Sequence, residues 1–181
     1  MISIDRDDPA RADVHRLLSE HLADMFATSP AESVHALDHS ALSDPSITFW
    51  TAREDGTLLG CGALKHLGAA PGTVRHGEIK SMRTAGHARG RGVASALLGE
   101  VLAEARRREY TRISLETGPQ DYFASARRLY ARHGFTECGP FGSYTLDPYS
   151  VFMTLELRGP EPRAPQAQAT APQPAGGPAG Q

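Results

Sequence analysis

The stretch Arg89-Gly90-Arg91-Gly92-Val93-Ala94 lies where an alternating segment gives way to a long amphipathic helix. Two glycines in a short turn let the backbone approach a ligand closely, because no side chain stands in the way. The first N–H groups of the helix have no acceptor within it, and the positive end of its dipole is there. With two arginines beside it, the turn is suited to a phosphate or a pyrophosphate. Taken alone, such a turn is as often only a turn, because short glycine motifs are weak evidence.

The segments on either side place the turn at a strand-to-helix junction. Before it, Glu78 to Thr84 alternates in the manner of a half-buried strand. After it, apolar residues from Val93 onward recur at helical spacing, and Arg106 to Arg108 close the helix at its negative end. A phosphate-binding turn needs such a junction, since the free N–H groups and the dipole both belong to the start of a helix.

Length and composition narrow the class of protein. A chain of 181 residues is suited to one domain with a substantial core, and its formal net charge of −2 does not favour nucleic acid as a partner. The sequence has no apolar run long enough to span a bilayer and no signal-peptide pattern, so we predict a cytoplasmic protein without a membrane partner. Cys61 and Cys138 lie far apart, and the eight histidines form no His-Glu-x-x-His pair. We therefore expect no metal.

The last residues differ in composition from the rest of the chain. From Arg158 to Gln181 the sequence consists mainly of Pro, Ala, Gln and Gly. Such a segment buries too little apolar surface to offset the entropy lost on ordering. We predict a folded domain over residues 1–157 and a disordered tail over 158–181.

Periodicity and turn residues divide the domain into strands and helices in a mixed order. The predicted strands are 2–4, 47–53, 57–66, 78–84, 110–116, 135–138 and 150–157, and the predicted helices are 9–26, 31–42, 93–108 and 122–133. Asp55-Gly56 predicts a tight hairpin turn, and Gly134 predicts the end of the last helix. This order implies an α+β fold, in which helices flank a mostly antiparallel sheet of about seven strands.

Two segments resemble the signatures of one family. The turn matches the pattern Arg/Gln-x-x-Gly-x-Gly/Ala as Arg89-x-x-Gly92-x-Ala94, and Ala126-x-x-Leu129-Tyr130-x-x-x-Gly134-Phe135 matches a second pattern. Together and in this order they resemble the GNAT superfamily of acyl-CoA-dependent N-acyltransferases, over about residues 1–157. The stretches after Leu115 and around Pro140 further resemble a bacterial subgroup of small GNAT proteins with largely unassigned substrates.

The resemblance implies where acetyl-CoA binds. In such proteins the fourth and fifth strands splay apart, the acyl thioester lies in the gap, and the turn after the fourth strand binds the pyrophosphate of coenzyme A. The residues that this implies are Met82 and Thr84 along the pantetheine arm, and Arg89, Gly90, Arg91, Gly92, Val93, Ala94 and Ser95 at the pyrophosphate. Many members carry an asparagine seven residues before the tyrosine of the second signature. This chain has Phe123 there and so departs from the family pattern at that contact with the pantetheine.

Acyl transfer to an amine needs a group that accepts the amine's proton and a group that donates one to the departing thiolate. Two glutamates occupy base positions of the family: Glu78 on the fourth strand, and Glu116 at the end of the fifth, which we slightly prefer because that end adjoins the splay. A glutamate on a strand is also commonly solvated or ion-paired. Tyr130 lies where the family places the tyrosine that protonates the thiolate, although a core aromatic packed on Phe135 explains it as well.

The acceptor is the least defined part of the sequence. The loop between the last two strands is rich in Gly, Pro and Tyr, and either Tyr144 and Asp147 contact the substrate or the loop is a simple turn. Our main hypothesis is an N-acetyltransferase that transfers acetyl from acetyl-CoA to the primary amine of a small molecule in a ternary complex. The alternatives are a protein acceptor, at a lysine or an N-terminus, and a non-catalytic acyl-CoA-binding module. The resemblance also makes a homodimer plausible.

Overall fold

The computed structural model describes residues 1–35, 39–68 and 75–157. The strands are β1 (Ser3–Arg6), β2 (Ile47–Glu54), β3 (Thr57–His66), β4 (His76–Thr84), β5 (Arg112–Thr117), β6 (Thr136–Cys138) and β7 (Val151–Glu156). The α-helices are α1 (Ala12–Thr28), α2 (His39–Leu42), α3 (Val93–Arg107) and α4 (Ala124–Arg132). Single 3₁₀ turns cover Ala31–Ser33, Gly86–Ala88 and Asp121–Phe123. The predicted elements are present at most positions and differ by a few residues at their ends.

All seven strands form one sheet in the order β1-β2-β3-β4-β5-β7-β6. Its neighbouring strands are antiparallel except for β4 and β5, which are parallel. The β4–β5 pairing runs from His76 opposite Arg112 to Ile79 opposite Leu115 and then ends, although both strands continue. The two strands therefore diverge beyond Ile79. The predicted α+β fold, its mostly antiparallel sheet and its splay between the fourth and fifth strands are confirmed.

Local sequence signals explain the turns that join these elements. Asp55 and Gly56 both have positive φ, 49° and 80°, as the hairpin turn between β2 and β3 requires. Gly134 has φ of 90° directly after α4, where a residue with a Cβ atom would be strained. The core lies between the sheet and the apolar faces of α1 and α3, which bury Leu18 and Leu98 completely or almost so. No helix in the described ranges is long and apolar enough to cross a membrane.

The predicted helix over residues 31–42 is wrong as a continuous element. The 3₁₀ turn ends at Ser33, and Val34 is extended with φ of −91° and ψ of 106°. Helix α2 covers only His39–Leu42, and residues 36–38 lie outside the described part of the chain. The cause is a tertiary contact, because the carbonyl oxygen of His35 accepts a hydrogen bond of 3.0 Å from Lys80 Nζ on β4. The predicted tail, 158–181, also lies outside the described residues.

Candidate active site

The glycine turn after β4 has the geometry of an anion site. Gly90 and Gly92 have φ of 75° and 78°, and Gly92 is the residue that caps α3. The first backbone hydrogen bond of the helix joins the N–H of Ala96 to the carbonyl oxygen of Gly92 at 3.0 Å. The N–H groups of the preceding first turn therefore have no acceptor within the helix. A Cβ atom built on either glycine would meet nothing within 4 Å, so the space over this backbone is open to a ligand.

The charged and polar side chains of this turn are partly engaged elsewhere. Arg89 is exposed, whereas Arg91 forms an ion pair with Glu54. Ser95 Oγ lies 3.1 Å from His133 Nε2, and His133 Nδ1 lies 2.9 Å from the carbonyl oxygen of Leu129. Since a carbonyl oxygen only accepts, the Nδ1–H of His133 donates to it. The hydroxyl of Ser95 is thus already in contact with His133, whereas its backbone N–H lies in the first turn of α3.

A cavity of about 110 Å³ lies in the gap between the splayed strands. Helix α1, the segment after it, β4, β5, α4 and the loop before β7 all contribute to its walls. The side chains that matter most for chemistry are His21, Lys80, Ser81, Met82, Glu116 and Tyr130. Three residues predicted from the sequence for different roles, Met82, Glu116 and Tyr130, therefore line one small space.

Glu116 contributes the carboxylate of this cavity. Its Oε1 accepts a hydrogen bond of 2.7 Å from Ser150 Oγ. Burial raises the pKa of Glu116, while the hydrogen bond from Ser150 and the positive charge of Lys80 oppose the shift. A carboxylate with a raised pKa and few partners is a better proton acceptor than a fully solvated or ion-paired one.

Glu78 lies behind the cavity wall in a closed network of polar groups. It is 2 % exposed, and its Oε1 accepts a hydrogen bond of 2.6 Å from the hydroxyl of Tyr144. Lys80 Nζ lies 3.2 Å from the same oxygen and also donates to the Tyr144 hydroxyl at 2.8 Å and to the carbonyl oxygen of His35 at 3.0 Å. The ammonium group thus makes two hydrogen bonds and one ion pair within this network.

Tyr130 both packs in the core and lines the cavity. Its ring is 6 % exposed and packs edge-to-face on Phe135, with centroids 5.6 Å apart. It also lines the cavity, and its hydroxyl has no hydrogen-bond partner among the residues that the structure describes. Burial raises the pKa of Tyr130, so its hydroxyl remains protonated at neutral pH.

The loop before β7 reaches the site through a residue other than those predicted. Tyr144 belongs to the Glu78 network, and Asp147 accepts a hydrogen bond of 2.8 Å from the backbone N–H of Tyr149. That backbone hydrogen bond lowers the pKa of Asp147. It is Tyr149 that lines the cavity, whereas neither Tyr144 nor Asp147 is among the lining residues.

Ser81 and His21 are among the cavity residues that were not predicted from the sequence. Ser81 Oγ and His21 Nδ1 are both buried, and neither has a hydrogen-bond partner within the described residues. Burial, together with the nearby charge of Arg83, lowers the pKa of His21 to about 4, so the ring is neutral. Ser81 lies on an alternating strand and His21 on an amphipathic helix. Neither pattern marks which of its residues will line a cavity. No group of three or more potential metal ligands occurs in the described ranges.

Comparison with known proteins shows the family to which the chain belongs. The model of the acetyltransferase (GNAT) family matches residues 14–135. The chain is 49 % identical to the Bacillus subtilis protein named uncharacterized N-acetyltransferase YsnE, over 83 % of this chain and 97 % of that one. It is 39 % identical to the IAA acetyltransferase of Azospirillum brasilense, over 86 % and 98 % of the two chains. The chain belongs to the GNAT family and is an acyltransferase.

Solved structures agree with this assignment. A Klebsiella pneumoniae structure assigned to the acyl-CoA N-acyltransferases superposes with a TM-score of 0.69 at 28 % identity, covering 87 % of this chain and 99 % of that one. A GNAT acetyltransferase from Elizabethkingia anophelis, solved with acetyl-CoA bound, has the same fold at 18 % identity. Its TM-score is 0.56, and the superposition covers 86 % of this chain and 98 % of the other.

Proposed function

We propose that this acyltransferase moves an acetyl group from acetyl-CoA to the primary amine of a small molecule, by direct attack in a ternary complex. The cavity in the splay carries the proposal, because it collects a carboxylate, a phenol and the β4 backbone within about 110 Å³. Acetyl transfer as such follows the family and the names of the relatives.

The exposed backbone between the glycine turn and the cavity supports acetyl-CoA as the donor. Beyond Ile79, the edge of β4 that faces β5 has no strand partner in the described sheet, which leaves its backbone groups free. Met82 and Thr84 on this edge would pair with the pantetheine arm, as one strand pairs with another. The pyrophosphate would then reach the backbone N–H groups of residues 89–95, with Arg89 adding positive charge.

Glu116 is the residue that we propose as the proton acceptor. The lone pair of the amine nitrogen attacks the thioester carbon, and the nitrogen must lose a proton as the C–N bond forms. Glu116 can take that proton, since burial holds its pKa above the ordinary value of 4.5 and its carboxylate lines the cavity. In this scheme Glu78 positions Lys80 and Tyr144, because its Oε1 contacts both side chains.

Tyr130 is the residue that we propose at the sulfur. When the C–S bond breaks, the electron pair stays on sulfur as a thiolate. Burial raises the pKa of Tyr130, so its hydroxyl still carries its proton when the thiolate forms beside it. The hydroxyl therefore stabilises the thiolate through a hydrogen bond, and the thiol gains its proton from water after release.

The size of the cavity favours a small acceptor over a protein chain. Its volume is about 110 Å³, and helix α1, the segment after it and the loop before β7 form walls around it. His35 and Tyr149 line this space together with Glu116, and they would contact the acceptor.

The homodimer and the cytoplasmic location expected from the sequence stay predictions.

A panel of acceptors tests the proposed function. Thiol release from acetyl-CoA is measured with primary amines, amino acids, aminoglycosides, IAA and lysine peptides, and products are confirmed by the mass of one added acetyl group. We expect turnover with at least one small amine and none with the peptides. Peptide acetylation alone would establish the protein-acceptor alternative. Tight acetyl-CoA binding without thiol release across the panel would establish the binding module.

A further inference from the structure

Glu116 is a cavity charge that the described residues leave without an ionic partner. Its carboxylate is half-buried and lines the cavity, and the hydrogen bond that it accepts, at 2.7 Å, comes from the neutral hydroxyl of Ser150. A carboxylate that is partly removed from water is unfavourable unless a cation or several donors face it. An acceptor that enters the cavity as an ammonium ion supplies that cation.

The positive charge of Lys80 is already offset within the cavity wall. Lys80 is the one lysine or arginine among the described residues that line the cavity. Its Nζ lies 3.2 Å from Glu78 Oε1, and both side chains are buried, so the two charges balance each other. Residues 36–38 and 69–74, which lie outside the described ranges, contain no lysine or arginine. Within the described structure, the lining therefore carries the negative charge of Glu116 and no lysine or arginine that is free to receive an anionic group.

Apolar side chains from three segments also line the cavity. They are Met25 on α1, Val34 after it and Tyr149 in the loop before β7. The Tyr149 side chain is 43 % exposed although it lines the cavity, so it lies at the cavity opening. These side chains favour an apolar group on the acceptor, because burial of apolar surface is the main favourable contribution to binding in such a cavity.

We propose that the acceptor is a primary amine with an apolar body and no carboxylate, and that the cavity selects it against the corresponding amino acid. This inference rests on the proposed function, because it takes a small amine as the acceptor. The carboxylate of an amino acid is attached to the carbon that carries the amino group. When that amino group faces Glu116, the two carboxylates repel each other, and Lys80 is already paired with Glu78.

Two matched series of acceptors test this selection on the unmodified protein. The aromatic series is phenethylamine, phenylalaninol and phenylalanine, and the aliphatic series is isoamylamine, leucinol and leucine. In each series the amino alcohol keeps the branch at the carbon beside the nitrogen but replaces the carboxylate with a neutral group. Thiol release from acetyl-CoA is measured at about pH 8, above the ordinary imidazole pKa of about 6.5. In at least one series, we expect the kcat/KM of the amino acid to be lower by about 100-fold or more than those of the other two members.

The substitution Glu78→Gln tests the charge balance directly. It leaves the positive charge of Lys80 uncompensated in the cavity lining, so an amino acid should be rejected less strongly. We expect the ratio of kcat/KM for the amine to that for the amino acid to fall by about tenfold. This ratio does not depend on the fraction of folded protein, because both acceptors are measured on one preparation. Glu137→Gln, at an exposed position outside the lining, is the matched control and should keep the ratio of the unmodified protein.

The outcomes separate this inference from the proposed function. An amino acid that is acetylated within about tenfold of its amine overturns the inference and leaves the proposed function intact. An amino alcohol that is as poor as the amino acid overturns it too, because shape rather than charge then selects the acceptor. The same holds if both series are refused while another small amine is acetylated. If no small amine is acetylated, the proposed function fails together with the inference. An unchanged ratio in folded Glu78→Gln overturns the charge balance, and the two series decide the selection even if this variant does not fold.

Discussion

Glu78 and Glu116 lie on neighbouring parallel strands, yet the structure gives them different surroundings. Glu78 is opposite Ser114, within the paired part of β4 and β5. Glu116 lies one position beyond Leu115, where that pairing ends. Glu78 therefore lies where the two strands are still hydrogen-bonded. Glu116 lines the gap that opens beyond that point.

The point at which β4 and β5 diverge therefore determines which of the two carboxylates lines the cavity. Glu78 accepts a hydrogen bond from Tyr144 and pairs with Lys80, and both contacts are made by its Oε1. Glu116 has Ser150 as its hydrogen-bond donor and a pKa raised by burial. We infer that the Glu78 region maintains the wall of the cavity, whereas the Glu116 region exchanges protons in it.

The substitution Glu116→Gln would give the largest expected effect. Glutamine keeps the shape and the contact with Ser150 but cannot accept the amine's proton, so kcat/KM should fall by about 10²- to 10⁴-fold. A base must be deprotonated to act, so activity of the unmodified protein should rise with pH through the raised pKa of Glu116. This acid limb should lie above 4.5 and disappear in the variant. Initial rates from pH 5 to 9 measure both effects.

Glu137→Gln on β6 is the matched control, because Glu137 is exposed and lies outside the cavity lining. Its kcat/KM and acid limb should match those of the unmodified protein. An unchanged rate and acid limb in Glu116→Gln would remove this residue from the mechanism. If the acid limb is lost from Glu78→Gln instead, the proton acceptor is the enclosed glutamate.

Much of the fold was predictable because its signals are local. Asp55-Gly56 encodes the hairpin, Gly134 encodes the end of α4, and Gly90 and Gly92 encode the turn before α3. The helix predicted over 31–42 failed because a long-range hydrogen bond from Lys80 fixes the backbone at His35. Local propensity carries no information about such a contact.

The site was predictable only where a family pattern marks it. Met82, Glu116 and Tyr130 were found through the resemblance, and the structure places all three on one cavity. Ser81 depends on a bulge, which forms because β4 has one more residue than β3 over the same length. His21 depends on where α1 packs across the splay. The positions of Ser81 and His21 depend on how strands and helices pack against one another. The hydrophobic periodicity of a single strand or helix therefore does not reveal them.

The substitution Glu78→Gln should affect stability more than catalysis. It removes the negative charge beside Lys80, whose side chain is 8 % exposed, and leaves that ammonium group buried with neutral partners. We expect the free energy of unfolding to fall by about 2–4 kcal/mol, as for other buried pairs that lose one member. The acid limb of kcat/KM should remain. Urea unfolding of the unmodified protein and the variant measures the change.

The double variant Glu78→Gln/Lys80→Met sharpens this test. Removing both charges takes away the unpaired ammonium group, so the double variant should be more stable than Glu78→Gln alone. A double variant that is less stable than the single one would show that Lys80 is held by its other hydrogen bonds rather than by Glu78.

The smallest expected effect is that of Tyr130→Phe, and its comparison with Tyr110→Phe tests whether the cavity hydroxyl acts on the substrate. Tyr110 is as buried as Tyr130, but its hydroxyl is bonded to His66 Nδ1 at 2.8 Å. Tyr130→Phe should lower kcat by about tenfold with unchanged stability, because its hydroxyl has no protein partner in the described structure and its ring still packs on Phe135. Tyr110→Phe should lose about 1 kcal/mol of stability and keep its kcat. An unaltered kcat in Tyr130→Phe would leave this tyrosine as a core aromatic only.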